Sequence, residues 1–287
     1  MFNSIRENIG RRLGLTIREA QTKNTALIEN IGEFSGRYRN WRGNENLANY
    51  PFVVNTHAPF TPARRALPML NLALISSAGA YINGTTPFDT EARDGDASFR
   101  EIPIEVEAED FLYAARGFDA TAIRQDRNVQ IPIDRLLEFQ ANVVIGQLNN
   151  VWWSLCGFIP NARLVAEELA PRLAERVERY KAQAALLIPA SRLCHQTLGI
   201  VARAIEKAGI PTVMLSVDRG ITDRMRPPRT AYYAGEFGSV AGKPDWKEFQ
   251  IRILEESLRW IESFDQPGSR RLSVNLETEI QQERGER

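Results

Sequence analysis

The sequence predicts an α/β protein with mainly parallel, doubly wound sheets and helices on both faces. The prediction depends first on residues 184–217. Ala184 to Ile188 is a short apolar run typical of a buried strand, and Pro189 to Leu193 is predicted as a loop. An amphipathic stretch then begins at Cys194, and Val213 to Val217 is a second apolar run. This succession of strand, helix and strand is typical of a crossover between parallel strands.

A second apolar run followed by small residues supports the same fold class. Met69 to Ile75 is predicted as a buried strand, and Ser76, Ser77 and Gly79 come directly after it. Because open parallel sheets bind ligands where their strands end, two such loops predict two similar lobes with a cleft at the carboxyl ends of the strands. The small residues are therefore candidates for substrate binding, although a plain strand-end turn has the same composition.

The chain has 287 residues, which is long enough for two lobes with their own cores. The predicted order begins with an N-terminal arm of helix and loop over residues 1–66 and a first α/β lobe over 67–160. A second α/β lobe over 161–266 carries the Cys194 loop, and a polar tail covers 267–287. We expect the arm to wrap the second lobe or a neighbouring chain.

Two further patterns predict local structure. Residues 161–180 have a helical pattern that contains Pro171, which predicts either a kink or two helices that meet at Ala170. Trp152 and Trp153 lie in a strongly apolar run, so they are expected in the core or in a subunit contact.

Charge and cysteine content exclude several classes of function. The 36 basic and 36 acidic residues give a net charge of zero, so the composition predicts no nucleic-acid or membrane partner. The two cysteines, Cys156 and Cys194, are too few for a disulfide framework and favour a reducing cytoplasm. The N-terminus lacks the apolar core of a secretory signal, and no apolar run reaches about 18 residues. These features predict a cytoplasmic protein.

Cys194 is the sharpest candidate for chemistry. It begins a predicted helix, where unpaired N–H groups and the helix dipole favour a thiolate. His195 comes next in the sequence, but neighbours at a helix start need not face each other, and a half-buried, inert cysteine is the alternative. Cys156 lies among aromatic residues and is predicted to be an inert packing residue. Neither CxxC, HxxxH nor GxSxG spacing occurs, so no metal site or serine-hydrolase elbow is predicted.

Several segments resemble the selenoprotein B family of glycine, sarcosine, betaine and D-proline reductases. The resemblance extends from Pro59 to Pro244, and its most specific parts are the IPIDRL stretch and the residues from Cys194 to Ser216. The segments are NLALISSAGAYI, TPFDTEARDGDASFREIP, RQDRNVQIPIDRL, CHQTLGIVARAIEKAGIPTVMLS and FGSVAGKP.

The resemblance implies an enzyme that attacks an activated amine substrate with a selenol or thiol, while a nearby cysteine resolves the product. The family typically has Sec-x-x-Cys or Cys-x-x-Cys after the strand. This chain has Ser191 and Cys194 in that motif, so the second position is kept and the first is serine. Family histidines that fall near Ala115, Ala120 and Ser239 are missing.

On this resemblance we expect the Cys194 thiol to act on a small amine or amino-acid-derived substrate, by reductive or eliminative cleavage and without a cofactor. Ser191 occupies the lost chalcogen position, and His195 is the expected proton donor or orienter. Because Ser191 cannot form an internal disulfide, the alternative is a non-redox descendant that binds a small molecule or scaffolds a biosynthetic complex. In either case we expect a homo-oligomer or a multi-subunit complex. The predicted substrate-binding residues are Ser76, Ser77, Gly79, Asp119, Thr197 and Ser216.

Overall fold

The computed structural model describes residues 21–41, 43 and 46–274 of the chain. The strands are β1 (Asn71–Ser76), β2 (Ala80–Ile82), β3 (Arg100–Pro103), β4 (Phe111–Tyr113), β5 (Gln147–Leu148), β6 (Val151–Ser154), β7 (Ala184–Ile188), β8 (Thr212–Ser216), β9 (Arg229–Tyr232) and β10 (Gly268–Arg271). The α-helices are α1 (Ile31–Asn40), α2 (Thr121–Gln125), α3 (Ile133–Ala141), α4 (Ala162–Leu164), α5 (Ala170–Arg179), α6 (Arg192–Lys207), α7 (Arg219–Met225) and α8 (Lys247–Ser263). Short 3-10 turns cover Leu67–Met69, Ala108–Asp110 and Arg127–Val129.

The described strands form one large sheet in the order β10, β9, β8, β7, β1, β6 and β3, with β5 also paired to β1. Every pairing in it is parallel except that of β3 with β6. Strands β2 and β4 form a separate antiparallel ribbon. The predicted α/β class with a mainly parallel sheet is confirmed.

The two predicted lobes share this sheet. β1 from the first lobe pairs along its length with β7 from the second, from Leu72 opposite Ala184 to Ser76 opposite Ile188. The sheet is therefore continuous where we expected two separate sheets, and the domain boundaries stay a prediction. Strand β10 lies in the range predicted as a polar tail and pairs with β9 at the sheet edge.

Apolar cores cover both faces of the sheet. Alternate side chains of β7 point to opposite faces, so Leu186 and Ile188 belong to one core while Ala185 and Leu187 belong to the other. Helix α8 packs in the first core and α6 in the second. Both faces of the strand are buried, which explains why its sequence is a continuous apolar run without alternation.

Two local predictions agree with the structure. Pro171 is the second residue of α5, and a π-helical turn over Val165–Leu169 joins α4 to α5 directly before it. The predicted junction at Ala170 is confirmed, since α5 begins there. Trp152 and Trp153 lie on β6 with no exposed surface, so they belong to the core.

The described part of the N-terminal arm packs on the body of the same chain. The Val53 N–H donates to Gln196 Oε1 on α6 at 2.7 Å. The Asn55 amide donates to the Met225 carbonyl on α7 at 2.8 Å. These bonds tie the arm to the second lobe, as expected. Within the described residues, no helix is both long and apolar enough to cross a membrane.

Candidate functional site

The site begins where β7 ends and α6 begins. Ser191 has extended backbone angles and is the N-cap of α6, since its Oγ accepts a hydrogen bond from the Cys194 N–H at 3.3 Å. The same hydroxyl lies 3.0 Å from Cys194 Sγ. The cap starts the helix at Arg192, ahead of the start predicted at Cys194. The serine and the cysteine of the family-like motif are therefore in direct contact at the carboxyl edge of the sheet.

The Cys194 thiol is fully buried in this conformation. Its Sγ lies 3.9 Å from the Ser77 carbonyl oxygen, and a Cβ placed on Gly157 would lie 2.9 Å from the sulfur. Burial raises the pKa of the Cys194 thiol, although hydrogen bonds from Ser191 and Ser77 act in the opposite direction. Burial therefore disfavours the thiolate in this arrangement.

Replacing Gly157 with alanine is expected to lower the free energy of unfolding by about 1–3 kcal/mol, because the new methyl group overpacks this site. The added Cβ would lie 2.5 Å from Ser77 Cβ as well as close to the Cys194 sulfur. Urea unfolding of the variant measures this loss. The matched control is Gly36→Ala on α1, where a Cβ meets nothing within 4 Å. That variant is expected to gain about 0.5–1 kcal/mol from helix propensity, and equal effects at both positions would contradict the prediction.

His195 is buried and its imidazole bonds the backbone with both ring nitrogens. Nδ1 lies 2.6 Å from the Ser191 carbonyl, and the Val217 N–H approaches Nε2 at 3.2 Å. Because Val217 is a donor, Nε2 is the acceptor and Nδ1 carries the proton, so the ring is neutral. Burial lowers the pKa of His195 to about 4. Of the two roles predicted from sequence, this geometry favours the orienter, since the ring holds the N-terminus of α6 against the end of β8.

Two predicted substrate-binding hydroxyls brace the Cys194 loop. Ser77 Oγ accepts a hydrogen bond from the Ala190 N–H at 2.9 Å. Thr197 Oγ1 donates to the Gly157 carbonyl at 2.8 Å. Both side chains are buried, and their bonds join three strand-end segments around the sulfur. Their substrate-binding role stays a prediction.

The other two predicted serines are also buried and bond the backbone locally. Ser216 Oγ accepts from the Asp218 N–H at 3.1 Å, just beyond β8. Ser76 Oγ accepts from the Ala78 N–H at 3.4 Å, just beyond β1. These bonds fix the two strand-end turns. For Ser76 this is the plain turn that the sequence left open as an alternative, and the substrate-binding role of both serines stays a prediction.

Gly79 and Asp119 lie in loops next to this cluster. Gly79 has a φ of +67°, and a Cβ there would lie 2.5 Å from the Ala114 carbonyl oxygen, so only glycine fits. The exposed Asp119 carboxylate accepts bonds from the Thr121 N–H at 3.0 Å and hydroxyl at 2.8 Å. These bonds lower the pKa of Asp119. The carboxylate therefore stabilises the start of α2.

Cys156 lies near Cys194 but in a different environment. Its Sγ donates to the Ala114 carbonyl at 3.5 Å, and the next residue, Gly157, is the one that faces the Cys194 sulfur. Burial and the neighbouring Cys194 raise the pKa of Cys156 to about 12. These features agree with a packing cysteine. Among the described residues, no group of His, Cys, Asp or Glu is arranged to hold a metal ion.

Two adjoining pockets share Asn46, Gly117 and Phe158 in their walls, and Ser191 lines the smaller one. The smaller has a volume of about 190 Å³ and the larger about 530 Å³. Sequence reasoning missed most of their walls; its one signal was the family histidine position at Ala115, next to Arg116. The smaller pocket is lined by Asn46, Leu47, Gly117, Phe158, Ser191, Arg192 and Leu193. The larger is lined by Asn46, Thr90, Glu91, Ala115, Arg116, Gly117 and Phe158.

Comparison with known proteins identifies the family. The family model for glycine/sarcosine/betaine reductase selenoprotein B matches residues 39–190, more than half of the chain. This chain belongs to the selenoprotein B reductase family. The matched region of this family member covers β1, β6 and β7 and ends one residue before Ser191. No solved structure matches the chain.

Curated relatives of this family member are subunits of reductases. D-proline reductase subunit gamma from Acetoanaerobium sticklandii is 28% identical over 218 residues, which cover 76% of this chain and 89% of that protein. Glycine reductase complex component B subunit gamma from Symbiobacterium thermophilum is 26% identical over 61% of this chain and 41% of its own length. Sarcosine reductase complex component B subunit beta from Peptoclostridium acidaminophilum is 26% identical over 61% of this chain. The match spans only 40% of that sarcosine reductase subunit.

Proposed function

We propose that this chain is a subunit of a reductase complex in which the Cys194 thiol acts on a small amine or amino-acid-derived substrate. The observation that carries the proposal is the direct contact between Ser191 Oγ and Cys194 Sγ, 3.0 Å apart, beside the smaller pocket. Of the two chalcogen positions in the family motif, this chain keeps one, the Cys194 sulfur. Relatives named as subunits of D-proline, glycine and sarcosine reductases support the choice of substrate class.

Because Cys194 is the one reacting thiol that this chain supplies in the proposal, the reaction proceeds in three steps. The Cys194 thiolate attacks the carbon that carries the amine, so a C–S bond forms while the C–N bond breaks and the nitrogen takes a proton. The amine leaves from an open-chain substrate and stays on the opened chain of a cyclic one. An external thiol then attacks the Cys194 sulfur, and the C–S electron pair stays on the carbon, which takes a proton. The resulting mixed disulfide is reduced by a second external thiol. External thiols are needed because Ser191 cannot supply the second sulfur.

Access to the sulfur passes Ser191 in this proposal. Ser191 lines the smaller pocket and contacts Sγ, so rotation of its side chain exposes the thiol towards the pocket. The same rotation breaks the N-cap bond to the Cys194 N–H. The freed N–H groups of the first helical turn then favour the thiolate.

The test compares the two cysteines in the complex purified through a tag on this chain. Amine release from glycine and sarcosine, and ring opening of D-proline, are measured with a dithiol reductant. The mass of the iodoacetamide adduct is measured in the same samples. We expect Cys194→Ala to lose the activity by about 1,000-fold or more, because the nucleophile is absent. Cys156→Ala, also a buried cysteine, is the matched control and should keep both activity and the Cys194 adduct.

A second candidate is a non-redox subunit that binds the substrate for another chain of the complex. The full burial of Cys194, its raised pKa and the serine at position 191 favour it. Full activity of the Cys194→Ala complex with bound substrate would support this candidate and reject the thiol mechanism.

A further inference from the structure

Arg116 lines the larger pocket, and its guanidinium has defined contacts there. Its guanidinium lies 4.7 Å from the centre of the Phe158 ring, and Nη1 donates to the Ala92 carbonyl at 2.8 Å. No ion pair joins this guanidinium to any residue within the described ranges 21–41, 43 and 46–274. The ring and the carbonyl hold the guanidinium in place, while its remaining N–H groups donate to no acceptor among the residues that the structure describes.

Glu91 lines the same pocket with the opposite charge. Its backbone N–H is held at 2.9 Å by the Asp89 carboxylate, so the loop that carries it has a defined turn. Its carboxylate forms no ion pair in the described part of the chain, and in particular none with Arg116. A pocket of about 530 Å³ is therefore lined by one cation and one anion that are not in contact with each other.

Gly117, the residue after Arg116, lies close to both Phe158 and Ser191. Gly117 has a φ of +80°, and a Cβ there would lie 2.5 Å from the Phe158 ring and 3.3 Å from Ser191 Oγ. Phe158 and Gly117 line both pockets. The pocket lined by Arg116 therefore shares a wall with the pocket lined by Ser191, whose Oγ contacts Cys194 Sγ.

We propose that Arg116 and Glu91 are the specificity-determining residues of this site. Arg116 binds the carboxylate of an amino-acid substrate through paired N–H donors, and Glu91 faces the cationic amine. The assignment rests on the proposed function for the position of the thiol. Binding itself needs no thiol chemistry, so the two can fail separately.

The test measures binding by calorimetry in the purified complex, with D-proline, glycine and sarcosine as probes and their carboxamides as neutral counterparts. We expect Arg116→Gln to weaken binding of the carboxylates by about 10–100-fold, because a charge-assisted pair is lost. Binding of the carboxamides should change less than about threefold, since they make no such pair. Arg116→Lys should recover part of the affinity, because it restores charge without the planar fork.

Arg179→Gln is the matched control. Arg179 lines neither pocket, is exposed and pairs with Glu175 at 2.8 Å, so its removal should leave carboxylate binding within about threefold. Cys194→Ala should bind the probes like the wild type, which separates this inference from the thiol mechanism. Equal losses for carboxylates and carboxamides in Arg116→Gln would overturn the assignment, as would failure of all three amino acids to bind the wild-type complex.

Discussion

Arg229→Met is expected to lower the free energy of unfolding by about 3–5 kcal/mol, because it leaves a buried carboxylate without its cation. Arg229 on β9 and Glu206 on α6 form an ion pair with no exposed surface on either side chain. Arg229 Nη2 also donates to the Thr61 carbonyl at 2.6 Å, and its guanidinium lies 4.1 Å from the Phe60 ring. The pair therefore joins the N-terminal arm to the sheet. Urea unfolding of the variant measures the loss in the free energy of unfolding.

A second variant separates the buried charge from the lost packing. In Arg229→Met/Glu206→Gln the neutral amide can still accept the Thr212 N–H bond, which Glu206 accepts at 2.8 Å. We expect the double variant to be more stable than Arg229→Met, since no unpaired charge stays buried. Arg163→Met is the control, because its pair with Glu167 is exposed and should contribute less than about 1 kcal/mol. A loss at Arg229 no larger than that at Arg163 would contradict the prediction.

Acid is expected to destabilise this protein through His195, by about 2 kcal/mol between about pH 8 and about pH 5. Burial lowers the pKa of His195 to about 4, from 6.5 for the free side chain. The unfolded chain therefore binds a proton at His195 in a range where the folded chain does not. The stability that this group contributes is complete above pH 6.5 and is lost as the pH falls towards 4. Chemical unfolding at several pH values measures this slope.

His195→Gln and His57→Gln provide the comparison, since the chain has only these two histidines. The acid-dependent loss should shrink in His195→Gln, because the titrating ring is gone. His57 has an 81% exposed side chain, so its replacement should leave the slope close to that of the wild type. Identical slopes in all three proteins would mean that carboxyl groups alone account for the acid sensitivity.

Local sequence patterns closely predicted the two strands of residues 184–217. The strand Ala184–Ile188 has the predicted bounds, and β8 differs from its predicted range by one residue at each end. Both are apolar runs between turn-forming residues, so local composition was enough to place them. The start of α6 was predicted too late in the chain, at Cys194. The Ser191 cap depends on one hydrogen bond, and hydrophobic periodicity carries no information about that bond.

Local sequence patterns could not predict which distant strands pair with each other. Parallel strands β1 and β7 are separated by more than a hundred residues, and their pairing joins the two predicted lobes into one sheet. The walls of the larger pocket follow from that assembly. Glu91 and Arg116 lie in loops without periodicity, so their shared position depends on where the strands carry those loops.

By itself, the sequence determined the fold class, the family likeness and the position of Cys194 at a strand-to-helix junction. Each of these follows from short apolar runs and from the spacing of residues along the chain. Only the tertiary structure decided that the thiol is buried, that His195 is held by two backbone groups, and that Arg116, which forms no ion pair among the described residues, lines the adjoining pocket. Burial and charge pairing are properties of groups brought together from distant parts of the chain, so they exist only after the sheet has formed.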